Sequence, residues 1–319
     1  MRTLRVLLLI ACATFAGAAH AQEFPSKVIR IFVPFQAGGL LDVVGRVVAD
    51  KFKEKWDQPA ILEHRVGAAG NIGAEALYRS EPDGHTLLIS PPGPIALNKL
   101  LYSKLPYDSD EFVPISILVS TPAVLVVHPD VPAKTPQELI AYAKANPGKL
   151  NYASPGSGST PHLAAELFQS MAGIKLVQIP YKGTAPATTD LLTGRVQLAF
   201  AQFSTVLPSI IAGQLRLIAV AGETRSPLYP DVPALTELLP GFYSANFFGL
   251  VGPPKLPAAV AERLSVAAAE AVKQPEVEKN LRELTTEPVG SSPAEARRFL
   301  AREKERWERV IRAANIQIE

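Results

Sequence analysis

Few side chains in this protein are placed to do covalent chemistry, and two short stretches hold most of the candidates. In Gly156-Ser157-Gly158 a serine sits between glycines, five residues before His162. A serine on a tight glycine turn with a histidine nearby could act as a nucleophile on an acyl carbon. The elbow pattern G-x-S-x-G requires glycine at 155, where Pro155 stands. His162, just inside the following helix, is also an odd position for the general base. An exported serine hydrolase using Ser157 therefore stays only as an alternative. The second stretch is Val33-Pro-Phe-Gln36-Ala37-Gly38-Gly39-Leu40-Leu41-Asp42. Its chemistry would lie in the backbone.

Both stretches follow one grammar: a β-like run, a glycine-rich loop, then an apolar-periodic helix. Each loop ends at a helix N-terminus, where up to four N–H groups have no partner inside the helix. Such an end carries about half a positive charge and attracts anions. Two ends summing to about one positive charge match one carboxylate without a buried lysine or arginine. Two such loops predict two lobes closing on one small anion. Asp42 is at odds with this, because a carboxylate beside an anion site repels. At the third helical position it is expected to cap free N–H groups.

Other chemistries find no support. Gly38-Gly39-Leu-Leu-Asp42 is neither a dinucleotide fingerprint nor a phosphate-binding loop ending in Gly-Lys-Ser/Thr. Gly67-Ala-Ala-Gly70-Asn-Ile-Gly73 has glycines at the wrong spacing, with no clear strand before it. No His/Cys/Asp/Glu cluster has metal-ligand spacing. No metal, catalytic residue or cofactor is expected.

The elements that must position these loops alternate. Short β-rich runs at Thr86–Ser90, Ala123–Val127, Lys149–Ser154, Leu176–Ile179, Val196–Phe200 and Leu215–Ala221 interleave with helical patterns. That alternation predicts an α/β fold with largely parallel sheets. Helices are expected at Leu40–Trp56 and Pro161–Met171, the latter with Thr160 as N-cap. Three more are expected at Ala258–Val272, Glu276–Leu284 and Pro293–Ala314. The last is rich in arginine and glutamate, the pattern of a solvated face. With 29 prolines in 319 residues, proline exceeds the usual 5% or so, and many prolines punctuate element ends. Two long β-like runs, Ile115–His128 and Asn246–Pro253, are expected to cross between lobes. The expected domains are a signal peptide at 1–21, a first lobe of 22–123 plus 244–319, and a second lobe of 124–243.

The chain opens Met1-Arg-Thr-Leu-Arg5, then an apolar run Val6–Ala19, then Ala19-His20-Ala21. This is the pattern of a cleaved secretory leader, with the mature chain starting at Gln22. Leu9-Ile-Ala-Cys12 also reads as a lipoprotein box, although its apolar run is short for one. Cys12 is the single cysteine, so no disulfide is expected in the mature fold. Without the two leader arginines, 30 basic residues face 30 acidic ones. That neutrality argues against nucleic acid as a partner.

At the two loops the chain resembles the extracytoplasmic solute receptors of the tripartite tricarboxylate transporter type, the Bug-type receptors. The marks are Phe24-Pro-Ser-Lys27, Val33-Pro-Phe with Gly39 and Asp42, Gly70-Asn-Ile-Gly-Ala-Glu75 and Pro82-Asp-Gly84. Further marks are Leu105-Pro-Tyr-Asp108, Ala145–Ala153, His162-Leu-Ala-Ala-Glu166, Pro180-Tyr-Lys-Gly183 and Pro230-Asp-Val-Pro233. The resemblance spans essentially the mature chain. It implies a two-lobed, hinged periplasmic binding protein with its ligand cleft between the lobes, acting as a monomer. It also implies a small carboxylate as ligand and a membrane permease as partner.

Carried over by position, the near lobe offers Gln36, Ala37, Gly38, Gly39, Leu40 and Asp42. The far lobe offers Ser154, Gly156, Ser157, Gly158, Ser159, Thr160 and His162. Segments after Ile89, including Ser90, and after Phe200, including Ala201 and Gln202, are expected to wall the cleft. Phe200, Phe203, Phe247 and Phe248 are aromatic candidates for it. Leu40-Leu41 stand where the family usually has a small polar pair. Ala201-Gln202 stand where it often has an aspartate. These departures favour an apolar carboxylate, with an aromatic mono- or dicarboxylate such as terephthalate first and citrate-like acids second. A sensory role for the loaded receptor is a further alternative.

Overall fold

One strand of 15 residues, Val113–Val127, runs through two sheets, and the rest of the fold is arranged along it. The computed structural model describes residues 24–156, 158–181, 183–313 and 316. The expected leader with Cys12 and its cleavage site, Ser157, and Lys182 of the Pro180–Gly183 mark lie outside the described residues.

The chain begins with β1 (Ile29–Val33), α1 (Leu40–Trp56), β2 (Ala60–His64), α2 (Asn71–Tyr78) and β3 (Thr86–Ser90). A π-helical turn, Gly93–Leu97, leads into the short α3 (Asn98–Leu101) and then into β4 (Val113–Val127). Next come α4 (Pro136–Ala145), β5 (Asn151–Ser154), α5 (Thr160–Ala172), β6 (Val177–Pro180) and α6 (Thr184–Leu192). They are followed by β7 (Leu198–Gln202), α7 (Phe203–Ile211) and β8 (Arg216–Val220). The chain returns through β9 (Ala245–Gly252), α8 (Ala258–Val272), α9 (Pro275–Glu283), β10 (Glu287–Pro288) and α10 (Pro293–Ala313).

The strand order is β2-β1-β3-β9-β4-β7-β5-β6, with β8 and β10 also paired to β4. The expectation of largely parallel sheets holds only at the flanks. β1 pairs parallel with β2 and β3, and β5 pairs parallel with β6 and β7. The centre is antiparallel, because β9, β7 and β8 each run against β4. The sequence of β4 is rich in valine and isoleucine, which suit a strand buried on both faces.

The crossing between sheets is local. Pro122 faces Ala245 as the last pair of β4 with β9, and Ala123 faces Gln202 as the first pair with β7. Of the two runs expected to cross, only Ile115–His128 does so. The other stays in the first sheet as β9, and the chain reaches the second sheet one residue earlier. There the Ser244 carbonyl accepts from Ala123 and the Ser244 N–H donates to Ala221.

Each sheet has its own core. Around the first, α1 and α8 pack Val44, Val48, Phe52, Leu264 and Ala268 onto Ile29, Ile31 and Leu87. Around the second, Phe168, Phe200 and Phe242 meet with Tyr152 and Leu139. A further cluster spans both halves, in which α10 packs Trp307, Val310 and Ile311 against Leu97 and Leu101 and against Leu163 of α5.

Candidate functional site

The near loop is built around Asp42. Its side chain is 7% exposed. It accepts hydrogen bonds from His64 Nε2 at 2.9 Å and Arg46 Nε at 3.1 Å. Burial by itself pushes this carboxyl up. The two side-chain donors, the Arg46 charge and the Gly38 N–H together outweigh burial and hold it below the ordinary carboxylate range. Asp42 therefore stays ionised and ties α1 to His64 of β2. The Arg46 guanidinium offsets its charge.

The far loop is held by Ser159 and His162. The N-cap of α5 is Ser159, not Thr160: its Oγ accepts the His162 N–H at 3.4 Å, and Thr160 begins the helix. Ser159 Oγ also donates to the Gly156 carbonyl at 2.6 Å. His162 Nδ1 accepts the Gly158 N–H at 2.9 Å. The expectation that these loop amides point at a ligand is therefore corrected for Gly158 and Ser159, whose N–H groups go to His162 and to the Gly156 carbonyl. A loop held at positive φ, as Gly158 is at 75°, needs such internal bonds to keep its shape.

Between the halves lies a cavity of about 500 Å³. The near wall is Phe35, Pro91–Pro94, Leu97, Asn98, Leu101 and Tyr102. The far wall is Pro155, Gly156, Gly158–Pro161, one face of α6 (Thr184, Ala187, Thr188, Leu191) and Ala199–Gln202 with Val206. Ala123 and Asn246 line it at the strand crossing. Among the described residues no lysine, arginine, histidine, aspartate or glutamate lines it. Three helices of 13, 9 and 9 residues begin on the far wall: α5 at Thr160, α6 at Thr184, and α7 after its N-cap Gln202. A cavity with no charged residue among its described lining, facing three positive dipole ends, suits an anion without an ion pair.

The near wall is fixed by a buried polar network. Asn98 donates to Asn71 Oδ1 at 2.6 Å, Tyr107 donates to the same oxygen at 2.8 Å, and Tyr107 also lies 2.9 Å from the Pro94 carbonyl. Desolvation pushes the Tyr107 hydroxyl far above its ordinary value, so it stays a donor. Sequence reading missed Asn71, Asn98 and Tyr107, because nothing in their local pattern marks three polar residues that meet only in space.

Of the residues singled out from sequence, Gly156, Gly158, Ser159, Thr160, Ala201 and Gln202 line the cavity. Gln36, Ala37, Gly38 and Gly39 are exposed beside it, and only Phe35 of their loop reaches its edge. Ser90 and Ser154 are fully buried beneath it. Ser90 donates to the Pro91 carbonyl, and Ser154 accepts from Gln178. His162 is buried behind the far loop, 5% exposed. Leu41 is buried and Leu40 half-buried, both packing with Val44 against the core of their own sheet, and neither lines the cavity. Phe200 lines the cavity, whereas Phe203, Phe247 and Phe248 are core residues. The Thr184, Ala187, Thr188, Leu191 face was legible as a helical stripe at i, i+3, i+4, i+7 but carries no functional signature.

No group of three or more potential metal ligands occurs among the described residues, and no described helix is long and apolar enough to cross a membrane. A family model described as the tripartite tricarboxylate transporter family receptor matches residues 44–316. Protein BugT of Bordetella pertussis is 34% identical, over 98% of this chain and 96% of that one. Among solved structures, Rpa4515 of R. palustris with adipate aligns with TM-score 0.81 at 33% identity, covering 92% of this chain and 99% of that one. MatC of Rhodopseudomonas palustris with bound malate aligns with TM-score 0.76 at 29% identity, covering 90% and 100%.

Proposed function

The chain belongs to the family of tripartite tricarboxylate transporter receptors, and from that premise we propose that it is a periplasmic binding protein without turnover. It captures a small carboxylate between its halves and presents it, as a monomer, to the membrane permease of a tripartite transporter. Its lobes are 22–123 plus 244–319, and 124–243. The observation that carries this reading is a cavity whose described lining carries no charged residue, with three helix starts on one wall. The near loop, Gln36–Gly39, closes toward Gly156–Thr160 when a ligand favours the closed state.

For the ligand itself we propose an aromatic mono- or dicarboxylate, terephthalate first, with citrate-like acids second. The apolar part of the case rests on Leu97, Leu101, Leu191, Ala187 and Val206, which line the cavity, and no longer on Leu40-Leu41. Each leucine contacting the ligand body contributes about 1.5–3 kcal/mol when fully buried. The absence of a carboxylate among the described lining residues disfavours ligands bearing an amine. The adipate and malate named with the two solved relatives support the carboxylate class.

A thermal-shift panel of terephthalate, benzoate, adipate, malate, citrate and glutamate tests this. A ligand at 100 times its Kd adds about 2.7 kcal/mol of stability. Stabilisation by citrate or glutamate but not by the aromatic acids overturns the aromatic assignment. Turnover of nitrophenyl esters without ligand-induced compaction in solution scattering overturns the receptor reading in favour of a hydrolase.

A further inference from the structure

We propose that His162 is a positioning residue and an acid-sensitive clamp: its neutral Nδ1 holds the Gly158 N–H and so keeps the far loop in its binding shape. The inference deepens the carboxylate-binding reading, and only its functional consequence rests on that reading.

His162 does not line the cavity, yet it sits in the first turn of α5 with its ring behind the loop. Gly158 donates to Nδ1 at 2.9 Å, so Nδ1 must carry a lone pair and the proton sits on Nε2. The ring is fixed from two further directions. It stacks on Tyr152 of β5 with centroids 6.4 Å apart and planes 16° from parallel. Its Nε2 lies 3.9 Å from Glu166 Oε1 on its own helix. Glu166 is itself anchored, accepting from Tyr152 Oη at 2.7 Å and Gln169 Nε2 at 2.8 Å. Strand, helix and loop thus meet at one imidazole. Glu166 and Tyr152 are the titratable groups that face it.

Protonating Nδ1 places two N–H groups against each other where one hydrogen bond stood. The Gly158 amide then loses its acceptor, and Gly158, held at a φ of 75°, loses the bond that fixes it. Burial of the ring favours the neutral form, and Glu166 opposes this only in part, so the imidazole titrates below its ordinary 6.5. The sign follows from that depression: the clamp is intact above 6.5 and is lost as pH falls through the lower folded value.

The test compares wild-type protein with His162→Asn and His162→Gln. Asparagine places its Oδ1 near the Nδ1 position and accepts without titrating, whereas glutamine places its oxygen one bond too far. Nuclear magnetic resonance on the ligand-free protein reads the Nδ1 protonation state and the exchange protection of the Gly158 amide from pH 7.5 to 5.0. We expect an unprotonated Nδ1 at pH 7.5 and Gly158 protection that falls at least tenfold on acidification. His162→Asn should keep protection flat across that range, and His162→Gln should lose it throughout. Calorimetry with terephthalate should give His162→Asn within threefold of wild type at pH 7.5 and tighter than wild type at pH 5.5. Equal Gly158 protection in all three proteins, or a protonated Nδ1 at pH 7.5, overturns the clamp. If none of the three binds terephthalate, the aromatic ligand is wrong, and the protection data still decide the clamp.

Discussion

The Arg306 guanidinium lies 4.4 Å from the centre of the Tyr243 ring, and this contact ties the C-terminal helix to the strand crossing. Tyr243 sits between Phe242, buried in the second core, and Ser244, which bonds to Ala123 and Ala221. Arg306 also holds Glu303, at 2.5 Å, and Glu303 accepts from Trp307 Nε1 at 3.1 Å. Glu303 is 2% exposed. Burial pushes its carboxyl up, against the Arg306 charge and the Trp307 and Arg306 hydrogen bonds.

Arg306→Ala should therefore lower stability by about 3 kcal/mol at pH 7, because it leaves a buried carboxylate unpaired. The loss should shrink toward pH 4.5, where Glu303 is protonated and needs no cation. The sign follows from a raised folded pKa: Glu303 costs nothing below its unfolded value of 4.5, and its penalty grows as pH rises through the folded one. Urea unfolding of both proteins at pH 4.5, 6 and 7.5 checks this, and a pH-independent difference argues against the ion-pair account.

Gln202→Glu should weaken carboxylate binding at least tenfold, about 1.4 kcal/mol. The change keeps the shape of the side chain and adds the first negative charge to the described cavity lining. Calorimetry with whichever acid stabilises the wild type reads the loss. Unchanged affinity would mean that the bound carboxylate sits far from the start of α7.

Asp42→Ala should weaken binding several-fold and cost about 1–3 kcal/mol of stability, since Arg46 and His64 lose a buried acceptor. Because the Asp42 carboxyl is held below its ordinary value, its contribution persists as pH falls to the model-peptide value of 3.8 and is lost only below it. Melting curves from pH 3 to 7, with binding measured at pH 7, test both halves. Full affinity in the variant would separate the near loop from the site.

Gly70→Ala should cost about 1–3 kcal/mol and reduce affinity. Gly70 has a φ of 88°, and an added Cβ would stand 2.6 Å from Pro94 Cγ and 3.3 Å from the Phe35 ring. Both neighbours belong to the near wall, so relief of the clash must displace it. A variant as stable and as tight as wild type would show that this wall yields freely.

Much of the frame was legible because it repeats local rules. Helices Leu40–Trp56 and Ala258–Val272 fall where their apolar periodicity placed them, and strand Thr86–Ser90 fell on its β-branched run. The cap of α5 was placed one residue late because Ser159 and Thr160 are both good caps, and only the fold decides which turns its oxygen inward. The antiparallel centre escaped notice because β4 pairs with β9 more than a hundred residues later, and periodicity does not record direction. In the site, the far loop was readable from its glycines, whereas the near wall was not. Asn71, Asn98 and Tyr107 act only together, across 36 residues of chain. Leu40 and Leu41 were misleading because an apolar residue at a loop-helix junction serves core and cleft alike until packing is known.

Pro122 stands at the seam between the two sheets and brings no N–H to the ladder there. The long central strand is thus a beam with a notch cut at mid-span. A closing motion of the proposed lobes would find its missing bond there, and a substitution restoring a donor at the notch should stiffen that motion rather than change what the cavity holds.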